Sequence, residues 1–265
     1  MFRLSAINLS ISLILAVSCM GISATEVHAK AQNPPGKTDV SGQAAAKQDD
    51  DTPATPEAKA LVEYNKGVEL FQIAQIQRDK GNLPGQKQLL KESIKHFELA
   101  LASHSKMVEA QSNIGFAYLT LKDHKKAIGA FETALAINPQ HLNTLNGLST
   151  AYAFDGKLDQ AIQTFDKLTT LDPGNSQYYF NKGSVLQKAG RAEEARTAYE
   201  QALKIQPNDQ RALFNMGTLM ENMGKLDEAR PYYEKAKGVE IGNTIGLEAI
   251  RRLEAIDATQ KTAPK

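Results

Sequence analysis

Four stretches of this chain begin with alanine at intervals of 34 residues: AIGAFETALAINP from Ala127, AIQTFDKLTTLDP from Ala161, ARTAYEQALKIQP from Ala195 and ARPYYEKAKGVEI from Ala229. A constant period of this length constrains the fold strongly. A unit of that size cannot bury its own apolar face and has to stack on its neighbours. Breakers recur in phase with it: Gly156, Gly190 and Gly224 form one column, and Pro139, Pro173 and Pro207 another. Between them the apolar residues recur at helical spacing, giving two amphipathic helices per unit, the first pair over about Val108–Leu121 and Lys125–Ile137. Proline lacks the N–H a helix interior needs and restricts the residue before it, so each second helix stops at Asn-Pro, Asp-Pro or Gln-Pro. The pattern predicts a stack of helical hairpins with no strand signal.

These columns resemble the tetratricopeptide repeat (TPR) family. The small residue of that motif's first (A) helix is matched by Gly67, Gly115, Ser149, Gly183 and Gly217, and the large residue three further on by Leu70, Tyr118, Tyr152, Leu186 and Met220. In the second (B) helix the alanine is Ala127, Ala161, Ala195 and Ala229, with Ser93 in the first unit. The aromatic is Phe97, Phe131, Phe165, Tyr199 and Tyr233. A second small residue follows at Ala100, Ala134, Ala202 and Ala236, with Leu168 as the departure. Small residues let two helices approach closely while the ring fills the space beside the crossing.

The resemblance covers residues 58–258 and implies an all-α, right-handed TPR solenoid of about five helix-turn-helix repeats plus a C-terminal capping helix. The repeats fall at about 60–107, 108–141, 142–175, 176–209 and 210–243, with the cap at 244–258 and a frayed tail at 259–265. The first unit is irregular: Gly67 to Ser93 is 26 residues, against 12 from Gly115 to Ala127. The 14 extra residues, centred on Arg78–Gln88, predict a lengthened A helix, a Gly-Asn-Leu-Pro-Gly turn and a lengthened B helix. At the other end Ile241 replaces the proline, and Thr244–Ala258 reads as one helix with a solvated face, as a terminal cap requires.

The N-terminus reads as an export signal over residues 1–29: Arg3, then apolar Leu4 to Ala24, with small-residue cleavage sites ending at Ala24 and at Ala29. It predicts a protein of the periplasm or cell envelope. Two alternatives stand beside cleavage. One is an uncleaved membrane anchor, since about 20 apolar residues can span a bilayer. The other is lipid attachment at Cys19, although Ala16 stands where lipoprotein signals place leucine. Cys19 is the only cysteine, so disulfide and CxxC chemistry are excluded. Residues 30–57, with their prolines, glycines and the acidic run Asp49-Asp50-Asp51, read as a flexible linker with a reach of about 30 Å.

A formal net charge of +1 leaves no electrostatic footprint for nucleic acid. His28, His96, His104, His124 and His141 fall in no metal-ligand spacing, and no phosphate-binding loop or nucleophile elbow occurs. No catalytic residue, cofactor or metal is expected, and binding is the stronger lead. In TPR proteins the A helices line a concave groove that holds peptide segments of partner proteins. By that resemblance the candidate groove residues are Asn65, Asn113, Asn181 and Asn215, with Gly147 in the same column. An amide offers donor and acceptor together, matching a peptide unit without reading its side chain. The preceding column is Tyr64, Ser112, Asn146, Phe180 and Phe214. Asn146 joins the candidates, and Phe180 and Phe214 are candidates for an apolar shelf, packing on neighbouring repeats being the alternative. The lysine that co-chaperones of this family place in that column is absent, so cytosolic heat-shock chaperones are not expected partners. The sequence therefore predicts a non-enzymatic scaffold for protein or peptide partners, with membrane association open through the N-terminus. An envelope assembly factor or lipoprotein for pilus or secretion machinery is the alternative, as is an accessory subunit of a cell-wall or polysaccharide enzyme.

Overall fold

The computed structural model describes residues 55–240 and 242–262. The signal region, Cys19 and residues 30–54 of the linker lie outside the described residues. Among the described residues there are eleven α-helices and no strand. They are α1 (Pro56–Asp79), α2 (Leu83–Ser103), α3 (Val108–Thr120), α4 (His124–Ile137), α5 (Leu142–Phe154), α6 (Leu158–Leu171), α7 (Ser176–Lys188), α8 (Ala192–Ile205), α9 (Gln210–Asn222), α10 (Leu226–Val239) and α11 (Thr244–Thr262). Odd-numbered helices up to α9 are A helices, and each is followed by its B helix. No described helix is long and apolar enough to cross a membrane. The described residues up to Pro139 form one compact unit and those from Gln140 a second.

The A–B turn closes the same way in all five hairpins, in the first with Gly81 at φ +76° and the Asn82 N–H reaching the Gln77 carbonyl at 2.8 Å. Gly156, Gly190 and Gly224 stand at φ +82°, +77° and +76°, the left-handed region that glycine enters without a Cβ penalty. The next N–H then reaches back to the A helix: Lys157 to Tyr152, Arg191 to Leu186 and Lys225 to Met220, each at 2.9 Å. This bond satisfies a carbonyl the helix end would otherwise leave open. In the α3–α4 turn the same position is Lys122, at φ +62°, with Asp123 bonding back to Tyr118 at 2.9 Å. The Asp123 side chain also accepts from the Lys126 N–H at 3.3 Å, which starts α4 at His124, one residue before the sequence expectation.

The first hairpin is long on both sides, with 24 residues in α1 and 21 in α2. Its turn is shorter than the expected Gly-Asn-Leu-Pro-Gly, because Leu83, Pro84 and Gly85 already form the first turn of α2. Asn82 caps that helix, its side chain accepting from the Gly85 N–H at 3.1 Å. Pro84 is tolerated there because a first-turn N–H has no intrahelical partner. At the C-terminal end, Gln210 donates to the Ala236 carbonyl at 2.8 Å and to the Asn243 side chain at 3.2 Å. Asn243 in turn accepts from the Gly246 N–H at 2.7 Å and so starts α11. That helix runs to Thr262, one turn beyond the expected end at Ala258.

The core of each hairpin is its seam. Ala127, Ala161, Ala195 and Ala229 are fully buried, as are Phe97, Phe131, Tyr199 and Tyr233. Within the second unit, ion pairs also join successive repeats: Arg191 with Asp159 at 3.6 Å, Lys225 with Glu193 at 3.9 Å and Arg196 with Glu228 at 3.6 Å. Exposed pairs of this kind contribute about 0–1 kcal/mol each. Burying one aromatic ring contributes about 1.5–3 kcal/mol, so the seams and not the surface charges hold the repeats.

Candidate functional site

Each seam is set by a close approach. A Cβ on Gly67, Gly115, Gly183 or Gly217 would lie 2.6, 2.5, 2.7 or 2.8 Å from the ring of Phe97, Phe131, Tyr199 or Tyr233 respectively. Those rings in turn meet an aromatic of the A helix: Tyr64 with Phe97 at 5.8 Å between centroids, Phe116 with Phe131 at 5.0 Å, Phe180 with Tyr199 at 6.0 Å, and Phe214 with Tyr233 at 5.5 Å.

The seam ring is phenylalanine in the first three repeats and tyrosine in the last two, and the added hydroxyls connect to the A helices. Tyr199 Oη donates to Gln187 Oε1 at 2.9 Å, lies 3.2 Å from Ser184 Oγ, and accepts from Asn215 Nδ2 at 3.4 Å. Tyr233 Oη donates to Glu221 Oε2 at 2.6 Å, and Arg252 donates to the other oxygen of Glu221 at 3.1 Å. Burial pushes the Tyr199 phenol up to about 12, and burial with the Glu221 hydrogen bond raises Tyr233. Both therefore act as neutral hydrogen-bonding groups, not as bases.

Helical spacing places four residues of each A helix of the second unit on one face: Asn143, Gly147, Thr150 and Phe154 on α5, Gln177, Asn181, Ser184 and Lys188 on α7, and Arg211, Asn215, Thr218 and Asn222 on α9. Side chains link these stripes. Arg211 donates to Gln177 Oε1 at 2.7 Å, and Gln177 Nε2 donates to Asn181 Oδ1 at 2.7 Å. Arg211 also pairs with the buried Asp209 at 3.1 Å and lies over the Phe180 ring at 4.8 Å. Lys188 donates to the Ala153 carbonyl at 2.8 Å. The face is made mostly of neutral amides and hydroxyls; of its two cations, Arg211 has a carboxylate partner and Lys188 a main-chain carbonyl. It is built mainly for hydrogen bonding. In the first unit Asn113 Nδ2 donates to a phenol of the preceding A helix, Tyr64 Oη, at 3.3 Å.

Residues 106–173 and 175–238 match the family model described as tetratricopeptide repeat. The chain belongs to the tetratricopeptide repeat family. TPR proteins are protein–protein interaction scaffolds that take protein or peptide partners, and the family is generally non-enzymatic. Solved TPR structures share the fold. A crystal structure of MamA is 22% identical with a TM-score of 0.54, over 69% of this chain and 97% of that one. MamA of Desulfovibrio magneticus RS-1 is 15% identical with a TM-score of 0.55, over 66% and 95%. YrrB, described as a TPR protein with an unusual peptide-binding site, is 19% identical with a TM-score of 0.55, over 74% and 100%. No curated protein matches the sequence.

Set on this TPR frame, the residues singled out from the sequence divide by depth. Asn65 is exposed, and Asn113 and Asn215 are half-buried. Asn146 and Asn181 are buried, at 7% and 4% exposure. The Asn181 Nδ2 group has no hydrogen-bond acceptor among the described residues. Phe180 and Phe214 do not form an open shelf. They are 1% and 7% exposed because their column turns into the hairpin, where each ring packs on its own seam tyrosine. The exposed aromatic of the α5 stripe is Phe154 instead. Gln177, Arg211 and Gln187 were not singled out from the sequence, and Tyr199 only as a packing residue. The signal for them was the change from phenylalanine to tyrosine in the seam column, and the 34-residue register that aligns Gln177 with Arg211. His96 meets Glu63 at 2.6 Å across the first hairpin, a contact between residues 33 apart. No group of three or more His, Cys, Asp or Glu among the described residues is placed to hold a metal ion.

Proposed function

We propose that the protein is an exported, non-enzymatic TPR scaffold whose A-helix faces hold an extended segment of a partner protein through its main chain. The observation that carries this is the pinning of the polar side chains on the second unit's A-helix face. Arg211 holds Gln177, Gln177 holds Asn181, and Tyr199 holds Asn215. Ordering a long side chain on binding costs about 0.5–1.5 kcal/mol, and side chains held beforehand avoid that cost. Neutral amides suit peptide groups, which carry no net charge, and an extended chain leaves its own N–H and C=O groups free to meet them. The peptide-binding site in the description of YrrB supports a segment of polypeptide as the ligand class. Placement outside the cytoplasm rests on Arg3, the apolar run Leu4 to Ala24 and the cleavage sites at Ala24 and Ala29.

Selection of dodecapeptides from a phage-displayed random library on the full chain supplies a probe. Its labelled form is then titrated by fluorescence anisotropy. Replacing Asn181 and Asn215 together by Ala is expected to weaken binding by about tenfold or more, with helical content by circular dichroism unchanged. Unchanged affinity, or failure of the wild type to enrich any peptide, contradicts the proposal. Mass spectrometry of the mature N-terminus tests the export reading. A free residue 25 or 30 supports cleavage, a lipidated Cys19 supports the lipoprotein alternative, and an intact Met1 in the mature chain overturns both.

A further inference from the structure

We infer that Tyr199 is a positioning residue that fixes the Asn215 amide with its oxygen outward, so that this station on the α9 face takes a hydrogen-bond donor, a main-chain N–H of the bound segment. The inference rests on the peptide-holding reading above and adds to it the polarity of one contact.

A count of hydrogens around the phenol carries it. Ser184 Oγ donates its only hydrogen to the Phe180 carbonyl at 3.0 Å. Towards Tyr199 Oη, 3.2 Å away, it therefore offers lone pairs alone. Gln187 turns Oε1, also an acceptor, to the phenol at 2.9 Å. The single phenol hydrogen goes to one of these two oxygens, so Asn215 faces a phenol lone pair at 3.4 Å. A carbonyl oxygen placed there would set lone pair against lone pair, and the NH2 end is the one that fits. With Nδ2 turned to Tyr199, Oδ1 points the other way, is not among the buried unpartnered atoms, and has no partner among the described residues. Burial keeps the phenol protonated well beyond neutral pH, so the count holds throughout the physiological range.

The neighbouring station differs. Asn181 spends its oxygen on Gln177, itself oriented by Arg211, which can only donate, and the Asn181 side chain is buried. Asn215 is therefore the open amide of the two, and Tyr199 decides which end of it is offered.

The test uses the selected dodecapeptide and its analogues N-methylated at one main-chain position at a time. On the full-length wild type, one position is expected to lose about tenfold in affinity on N-methylation, and that loss is expected to vanish in Asn215→Ala. In Asn215→Asp the phenol hydrogen can turn to the inner carboxylate oxygen, so the outer oxygen stays an acceptor and binding is expected within about threefold of wild type. Tyr199→Phe places in the fourth repeat the residue the chain itself uses at Phe97, Phe131 and Phe165, so the seam keeps its packing. It is expected to weaken binding severalfold and to shrink the N-methyl penalty, because the freed amide can turn either end outward. The inference is overturned if Asn215→Asp binds as poorly as Asn215→Ala, or if the penalty persists undiminished in Tyr199→Phe. It is also overturned if no N-methyl position couples to Asn215 and a side-chain donor of the peptide couples instead. Those outcomes leave the peptide-holding reading standing; that reading fails if the double Ala replacement leaves affinity unchanged or if no peptide is enriched.

Discussion

A Cβ on Gly183 would stand 2.7 Å from the Tyr199 ring, closer than side-chain carbons pack. The two helices of the fourth repeat touch through this absence of a side chain, and the same contact places the Tyr199 hydroxyl where it reaches Ser184, Gln187 and Asn215. Gly183→Ala is therefore expected to lower stability by about 1–3 kcal/mol through overpacking, and to weaken peptide binding as the phenol shifts. Gly129→Ala is the control, since a Cβ there meets nothing within 4 Å. Urea unfolding followed by circular dichroism, with hydrogen exchange reporting on individual repeats, measures both.

Lys122 holds φ +62° at the turn position where the other four repeats have glycine. A non-glycine residue in that region costs about 1–2 kcal/mol. Lys122→Gly is expected to raise the unfolding free energy of the first unit by about 1 kcal/mol, and Gly190→Ala to lower that of the second by a similar amount. Equal midpoints for Lys122→Gly and wild type would show that the turn is not strained.

Pro231 lies inside α10, where the other repeats carry Lys95, Gly129, Gln163 and Thr197. It removes an N–H that would bond the Asp227 carbonyl, and its ring crowds that carbonyl. Pro231→Ala is expected to stabilise the last hairpin by about 1–3 kcal/mol, read as slower amide exchange along α10.

The tyrosines make stability fall at high pH. The folded-state value of Tyr199 is pushed up to about 12 from 10.0, mainly by burial. Its contribution is fully present below pH 10. It is lost as pH rises from 10 through 12, because in that window the unfolded chain ionises first. The loss is about 2–3 kcal/mol at most for two units, and Tyr233 shifts in the same direction. Unfolding at pH 8 and pH 11.5 is expected to show a smaller alkaline loss in Tyr199→Phe than in wild type. Identical losses would contradict the burial of the phenol.

Much of the fold was legible because the period carries it. Ala127, Phe131 and Gly115 each recur in column, and each column has one packing duty. The turn after α1 was misjudged because Leu83-Pro84-Gly85 reads as loop by composition, whereas the Asn82 cap makes it the first turn of a helix. The binding face was legible only in part. The Asn column says which side of the A helix a residue occupies but not how deep it lies, and depth depends on neighbours one repeat away. Phe180 is covered by Tyr199 and Arg211, 19 and 31 residues further along the chain and beyond the range of any local pattern.

The central claim is that partner peptides lie on the A-helix face of the second unit. The most direct measurement is the spectrum of 15N-labelled Asn and Gln side-chain amides of the full chain, titrated with the selected dodecapeptide. The account predicts shifts at Gln177, Gln187 and Asn215, with the B-helix amides of Gln163 and Gln201 unmoved. Shifts at Gln163 and Gln201 with Asn215 unchanged would place the peptide on the opposite face and contradict it.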